Sequence, residues 1–154
     1  MLYKMGILSD THGLLRAEVV SALSDCDIII HAGDVGDSTV LEELGRIAPV
    51  HAVKGNTDMG KWAQALPLTD CIEFQGHFIY VLHEIDRLDL DPGAAKFEMV
   101  IFGHSHEPEL KKKDSVIYLN PGSAGPRRFS LPVSIAKVIV NSGGLVPKII
   151  KLNV

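Results

Sequence analysis

The chain has 154 residues, 46% hydrophobic and 22% charged, which suits one globular domain and excludes a disordered or membrane-embedded composition. A net charge of −4 and a pI near 5.9 exclude an extended basic face for nucleic acid, while leaving room for a small phosphate compound at a metal. Cys26 and Cys71 lie outside any C-x-x-C spacing, so no disulfide framework or thiolate metal site is expected.

Met5–Leu8 is the first short apolar run, and it stops abruptly in Ser9-Asp10-Thr11-His12-Gly13. Leu15, Val19, Ala22 and Leu23 follow at helical spacing. Asp27–Ile30 reads as a second strand, ending in His31-Ala32-Gly33-Asp34-Val35-Gly36-Asp37. A second helix carries Leu41, Leu44, Ile47 and Ala48, with Thr39-x-x-Glu42 as a capping box and Asp37 capping a start near Ser38. Val50–Val53 ends in Lys54-Gly55-Asn56-Thr57-Asp58, and Phe78–Leu82 ends in His83-Glu84-Ile85-Asp86. Asp91-Pro92 predicts a short third helix, and Glu98–Phe102 ends in Gly103-His104-Ser105-His106. Strand–helix–strand–helix–strand implies right-handed βαβ units and a largely parallel sheet. Ser115–Asn120, Val133–Val140 and Leu145–Leu152 then read as strands joined by short turns, with Lys111–Lys113 as a solvated turn. The expectation is an α/β sandwich in a single domain, 1–154. No apolar run approaches the ~18–20 residues of a membrane span and no secretory leader is evident, so a cytoplasmic protein without membrane contact is expected.

Five strand ends each carry oxygen or nitrogen ligand types: Asp10 and His12, Asp34, Asn56, His83, then His104 and His106. The gaps between them, 21, 21, 26 and 20 residues, match one strand-to-strand crossover each, so the groups are expected to converge at one sheet edge. Seven ligands exceed the three protein ligands typical of a catalytic zinc, whereas two ions bridged by one carboxylate use them all. Asp34, from a middle strand, is the natural bridge. A set of Asp, His and Asn without thiolate suits manganese first, with zinc, iron, nickel, cobalt or magnesium as alternatives. Two ions roughly 3.5–4 Å apart can hold hydroxide and a phosphoryl oxygen for in-line displacement, which points to metal-assisted phosphoester hydrolysis.

Asp10-x-His12, Gly33-Asp34-x-x-Asp37, Gly55-Asn56-x-Asp58, the lone His83 and Gly103-His104-x-His106 resemble the calcineurin-like metallophosphoesterase signature. Asn120-Pro121-Gly122-Ser123 and the short length are similar to its small bacterial and archaeal phosphodiesterase subfamily, to which the eukaryotic retromer scaffold subunit is related. The resemblance implies a sandwich of two mixed β-sheets flanked by helices. It implies one ion at Asp10, His12, Asp34 and His106 and another at Asp34, Asn56, His83 and His104. Asp34, Asn56 and His83 then count as the catalytic residues, acting on a small phosphodiester. A non-catalytic protein-binding scaffold is the alternative, and a homo-oligomer stays open.

Two positions depart from the family pattern. Thr57 stands where many members have a His that protonates the leaving oxygen, and Glu84 stands where Gly is common beside the metals. A Thr hydroxyl can donate a hydrogen bond but is no acid of near-neutral pKa. Thr57, Arg127 and Arg128 are the candidate substrate-binding residues, since guanidinium suits phosphate oxygens. His31 is expected to orient a ligand from behind, Asp58 to orient the Asn56 loop, and His51 and His77 belong to no motif.

Overall fold

In the computed structural model, which describes residues 1–154, β1 (Tyr3–Leu8), β2 (Ile28–His31) and β3 (Val50–Ala52) run parallel. They are joined by α1 (Ala17–Leu23) and α2 (Ser38–Gly45). After the one-turn α3 (Lys61–Gln64) come β4 (Thr69–Phe74), β5 (His77–Leu82), β6 (Met99–Ile101), β7 (Glu109–Lys113) and β8 (Val116–Asn120). The closing hairpin of β9 (Ser134–Asn141) and β10 (Gly144–Lys151) returns to pair antiparallel with β1. Two mixed five-stranded sheets result, in the orders β10-β9-β1-β2-β3 and β4-β5-β6-β8-β7.

Alternation along the strands decides how these layers stack. Met5 and Ile7 of β1 and Ile28 and Ile30 of β2 face the second sheet, meeting Ile79, Val81, Met99 and Ile101 in a fully apolar interior. The other face of the first sheet, with Leu8 and Ile29, lies under Val19 and Leu23 of α1 and Val40 and Leu44 of α2. Burying each such aliphatic side chain contributes about 1.5–3 kcal/mol, so these two interfaces hold the sandwich together. The outer face of the second sheet, through Tyr80, Leu82, Val100 and Phe102, is covered by Ile85, Leu88, Leu90 and Phe97 from one long connection.

Several expectations change. Asp91-Pro92 opens a single turn rather than a helix: Asp91 Oδ1 accepts from the Gly93 and Ala94 N–H groups, and the segment ends at Lys96 with φ +68°. Asp37 caps α2 as expected, its side chain accepting from the Thr39 N–H at 3.0 Å, but Thr39 and Glu42 sit inside the helix and form no capping box. Lys111–Lys113 belongs to β7, an exposed edge strand where lysines discourage pairing with another chain. The turn is Asp114-Ser115, both at positive φ as a two-residue hairpin requires. β4 was not predicted, because only Ile72 of its six residues is buried. The ligand-bearing strands also do not share one sheet. β1, β2 and β3 lie in the first and β5 and β6 in the second, so the ligands gather where two sheets end side by side.

Candidate metal centre

All seven candidate ligands follow the carboxyl ends of their strands, and the structure draws them together. One group is Asp10, His12 and His106, and another is Asp34, His83 and His104; the ligand atoms of each lie within 4.8 Å of one another. Asp34 Oδ2 is 3.2 Å from His83 Nε2 and 3.8 Å from His12 Nε2, so this carboxylate sits between the groups. His106 Nε2 is 3.3 Å from Asp10 Oδ1 and 3.4 Å from His12 Nε2. Asn56 joins the second group, its Oδ1 3.1 Å from His104 Nδ1.

The chain dictates the aim of each group. Asp10 Oδ2 accepts from Ser9 Oγ at 2.7 Å and from the His104 N–H at 3.1 Å, which turns Oδ1 inward, toward His106 and without a hydrogen bond. Asp34 Oδ1 accepts from the Thr57 N–H at 2.9 Å, which leaves Oδ2 to the histidines. His83 Nδ1 donates to the Ala32 carbonyl at 2.7 Å, so its buried Nε2, which faces Asp34 Oδ2 without forming a hydrogen bond, is the nitrogen presented to the site. Asp10, His12, Asp34, His104 and His106 all have φ between +47° and +74°. Non-glycine residues are held there at roughly 1–2 kcal/mol each, a concentration of strain that marks functional loops.

Two glycines let these loops approach. A Cβ on Gly55 would overlap Asp34, and one on Gly103 would overlap Ser9 and come within 2.8 Å of Asp10 Oδ2. Asp58 ties the Asp34 and Asn56 loops, accepting from the Val35, Gly36 and Gly55 N–H groups at 2.9–3.2 Å. The expectation that it orients a loop therefore holds. His31 is fully buried behind the ligands: the Gly33 N–H donates to its Nδ1, and its Nε2 lies 2.9 Å from Thr11 Oγ1.

Sequence reasoning gave no role to Asn120-Pro121-Gly122-Ser123, which clamps two ligand loops. Asn120 Nδ2 donates to the Gly103 carbonyl and Ser105 Oγ, and Ser123 Oγ donates to the Asp10 carbonyl. A run of turn formers with no hairpin to serve was the available signal. Arg127 and Arg128 are exposed, just beyond Gly125, which packs against the Asp10 and Thr11 carbonyls. Thr57 is exposed beside Asp34. Glu84 does face the site: Oε1 lies 3.7 Å from His104 Nε2, and Oε2 pairs with Arg87 Nε at 3.2 Å. A cleft of about 590 Å³ opens from Asn56, His83 and Glu84 toward β4.

The electrostatics call for cations. Burial works to raise the Asp34 pKa, but His83 and the Thr57 N–H outweigh it and hold the carboxyl well below the usual range. Burial likewise opposes ionised Asp10, and His106 and Ser9 overcome it. Burial disfavours a charged His83, yet Asp34 and Asp10 raise its pKa above the ordinary imidazole value. Two buried carboxylates whose nearby cationic partners are all imidazoles fit a pair of divalent ions, because buried charge needs compensation. Asp10 Oδ1 and His83 Nε2, buried and without a hydrogen bond, are the candidate ligand atoms.

Comparison with known proteins gives the same direction. Residues 3–143 match the calcineurin-like phosphoesterase superfamily domain. A probable metallophosphoesterase of Methanocaldococcus jannaschii is 36% identical, with 88% of this chain and 75% of the relative covered. Another, of Methanothermobacter thermautotrophicus, is 31% identical over 83% of this chain and 81% of its own. A second M. jannaschii protein, named a phosphodiesterase, is 28% identical over 77% and 82%. Among solved structures, an archaeal phosphodiesterase superposes with a TM-score of 0.81 at 23% identity, covering 97% of this chain and 99% of the other. Vps29 of Entamoeba histolytica complexed with zinc superposes at 0.73 and 20% identity, covering 99% and 100%. The chain belongs to the calcineurin-like phosphoesterase superfamily.

Proposed function

We propose that this member of the calcineurin-like phosphoesterase superfamily hydrolyses small phosphodiesters with two divalent cations, manganese being the first expectation, in the cytoplasm. The observation that carries this reading is the pair of ligand groups around Asp34, with the buried ligand atoms of Asp10 and His83 unpartnered within them. Asp10, His12, Asp34 and His106 would hold one ion, and Asp34, Asn56, His83 and His104 the other. Such ions supply Lewis acidity toward phosphoryl oxygens and hydroxide at neutral pH for in-line attack. Asp34 fixes the spacing between the two groups, and the Ala32 carbonyl fixes the tautomer of His83. Thr57 stands beside Asp34 without an acid of near-neutral pKa, so the leaving oxygen must depart largely unprotonated. Aryl diesters are therefore hydrolysed faster than alkyl ones.

The test is turnover of bis-para-nitrophenyl phosphate by protein loaded with Mn²⁺, alongside metal analysis. Two ions per chain and turnover abolished in Asp34→Asn support the proposal; no turnover with any divalent metal by folded protein overturns it. A scaffold of the same fold is the second reading, favoured by Thr57 and by Glu84 facing the site. Two bound ions without turnover of any diester or monoester would select it.

A further inference from the structure

The cleft beside the candidate metal centre joins residues that are far apart in sequence. Lys54 enters from the end of β3, Met59 from the following loop, Leu68 from the start of β4, and Glu84 with Arg87 from the turn after β5. The Lys54 N–H donates to the Pro67 carbonyl at 2.8 Å, which sets Leu68 alongside it. Three chemical features distinguish this space. Met59 and Leu68 are 77% and 70% exposed, two large apolar side chains left facing solvent at one mouth. Arg87 is already paired with Glu84 at 3.2 Å. Lys54 is only partly exposed, lines the same cleft, and is engaged by no acid. The cleft shares Asn56 and His83 with the metal centre, so a molecule with phosphorus at the ions would extend one arm into it.

We propose that this cleft is the specificity site for one ester arm of the substrate, and that the arm it takes has an apolar, ring-sized body ending in an anionic group. Met59 and Leu68 cover the body, Lys54 meets the anion, and Glu84 repels an arm whose negative charge lies close to the phosphorus. The Lys54 charge, engaged by no acid and sharing the cleft with Met59 and Leu68, is what selects an anionic arm over a neutral one. This proposal rests on the phosphodiesterase reading.

Two symmetric diesters test it: bis-para-carboxyphenyl phosphate and its methyl ester, which place the same ring in the cleft with and without the anion. The quantity read is the ratio of their kcat/KM values, which removes differences in metal loading and in ring packing. In Lys54→Met the carboxylate-to-ester ratio should fall about fivefold, the scale of one partly exposed ion pair, and Lys54→Arg should retain it. Titration of the metal-free protein with para-hydroxybenzoate, the arm without the phosphate, should shift the Met59 and Leu68 methyl resonances, and in Lys54→Met the affinity should weaken by a similar factor. An unchanged ratio with both diesters hydrolysed, or methyl shifts confined to other regions, overturns the proposal alone. Turnover of bis-para-nitrophenyl phosphate with hydrolysis of neither carboxyphenyl diester overturns the proposal alone, whereas hydrolysis of none of the three by metal-loaded wild type overturns the phosphodiesterase reading and this proposal with it.

Discussion

The two ends of the sandwich are built on opposite principles. At the carboxyl ends of β1, β2, β5 and β6, five candidate ligand residues occupy left-handed backbone, and buried atoms of Asp10, His83 and His106 make no hydrogen bond. At the other end, side chains close on one another. Tyr3 of the first sheet meets Phe74 of the second edge to face at 5.9 Å. His77 spans the sheets, its Nδ1 2.9 Å from the Glu98 carboxylate and its Nε2 3.2 Å from the Asn141 carbonyl. Asp25 joins Lys4 and Lys137 at 2.7 and 2.6 Å, which lowers its pKa to about 2. Left-handed backbone occurs at both ends, in the turn residues Gln75, Lys96, Asp114 and Ser115 at the second, but only the first leaves buried polar side-chain atoms without a hydrogen bond; function is expected at the first and structural support at the second.

The largest break in that contrast comes from Asp34→Asn. The amide can still accept from the Thr57 N–H but loses the charge shared by both ligand groups. Turnover should fall by about 10³ or more, since the change removes charge stabilisation as well as a ligand. The metal-free variant should melt somewhat lower than metal-free wild type, because a carboxyl held below its usual range stabilises the fold when ionised and the neutral amide loses the pairing with His83. A variant that binds two ions normally, or that unfolds without metal, would break the comparison.

Next in size are the two histidines of the Gly103-His104-Ser105-His106 turn. His106 lies against Asp10 and His12, whereas His104 lies against Asn56 and edge-on to His83 at 5.2 Å. Outer hydrogen-bond partners of metal ligands alone are worth about 10–100-fold in affinity, so losing a ligand should exceed that at one ion. Metal titration of His104→Ala and His106→Ala should each show one ion lost and one retained. Equal weakening of both ions in either variant would mean that the two rings serve a single position.

The ligand end was legible because its information is local. Each ligand sits within a few residues of an apolar run, and that boundary can be read without knowing which sheet the strand joins. What could not be read depends on distant neighbours. β4 alternates exposed residues around Ile72, and its best marker was the turn Gln75-Gly76, both residues at positive φ. β7 is three lysines after a Leu, and only pairing with β8 makes it a strand. Gaps of similar length suggested one sheet, yet the longest of them, from Asn56 to His83, holds α3 and a β4–β5 hairpin in place of a crossover helix. The cleft was hidden for the same reason: Lys54, Leu68 and Arg87 become neighbours only after both sheets have formed.

His31 sharpens the contrast through pH. Burial drives its pKa down to about 4, because the imidazole is enclosed behind the ligand loops and held neutral by Gly33 and Thr11. The unfolded chain, with an ordinary value near 6.5, binds the proton more readily between those limits. Stability from the neutral ring is therefore complete above about pH 6.5 and lost as pH falls toward 4, by about 3 kcal/mol. Denaturant unfolding of the metal-free protein at pH 7 and 4.5 should show this loss, and His31→Gln should flatten the difference between the two. An equally steep loss in the variant would place the acid sensitivity elsewhere.

The smallest effect belongs to the other end and has the opposite sign. Glu98 beside His77 raises the imidazole pKa, against a weaker effect of burial. Stability from this pair is then present below the unfolded value near 6.5 and lost as pH rises through the folded value. Glu98 is 43% exposed, so solvent screening limits the pair to about 1 kcal/mol or less. Glu98→Gln should lower the melting temperature by a few degrees at pH 5.5 and by less at pH 8.5. Metal content and turnover should stay as in the wild type, since neither residue approaches a ligand loop. A change in either would show that strain at the ligand end is transmitted through the sheets, and the two ends could no longer be treated as separate.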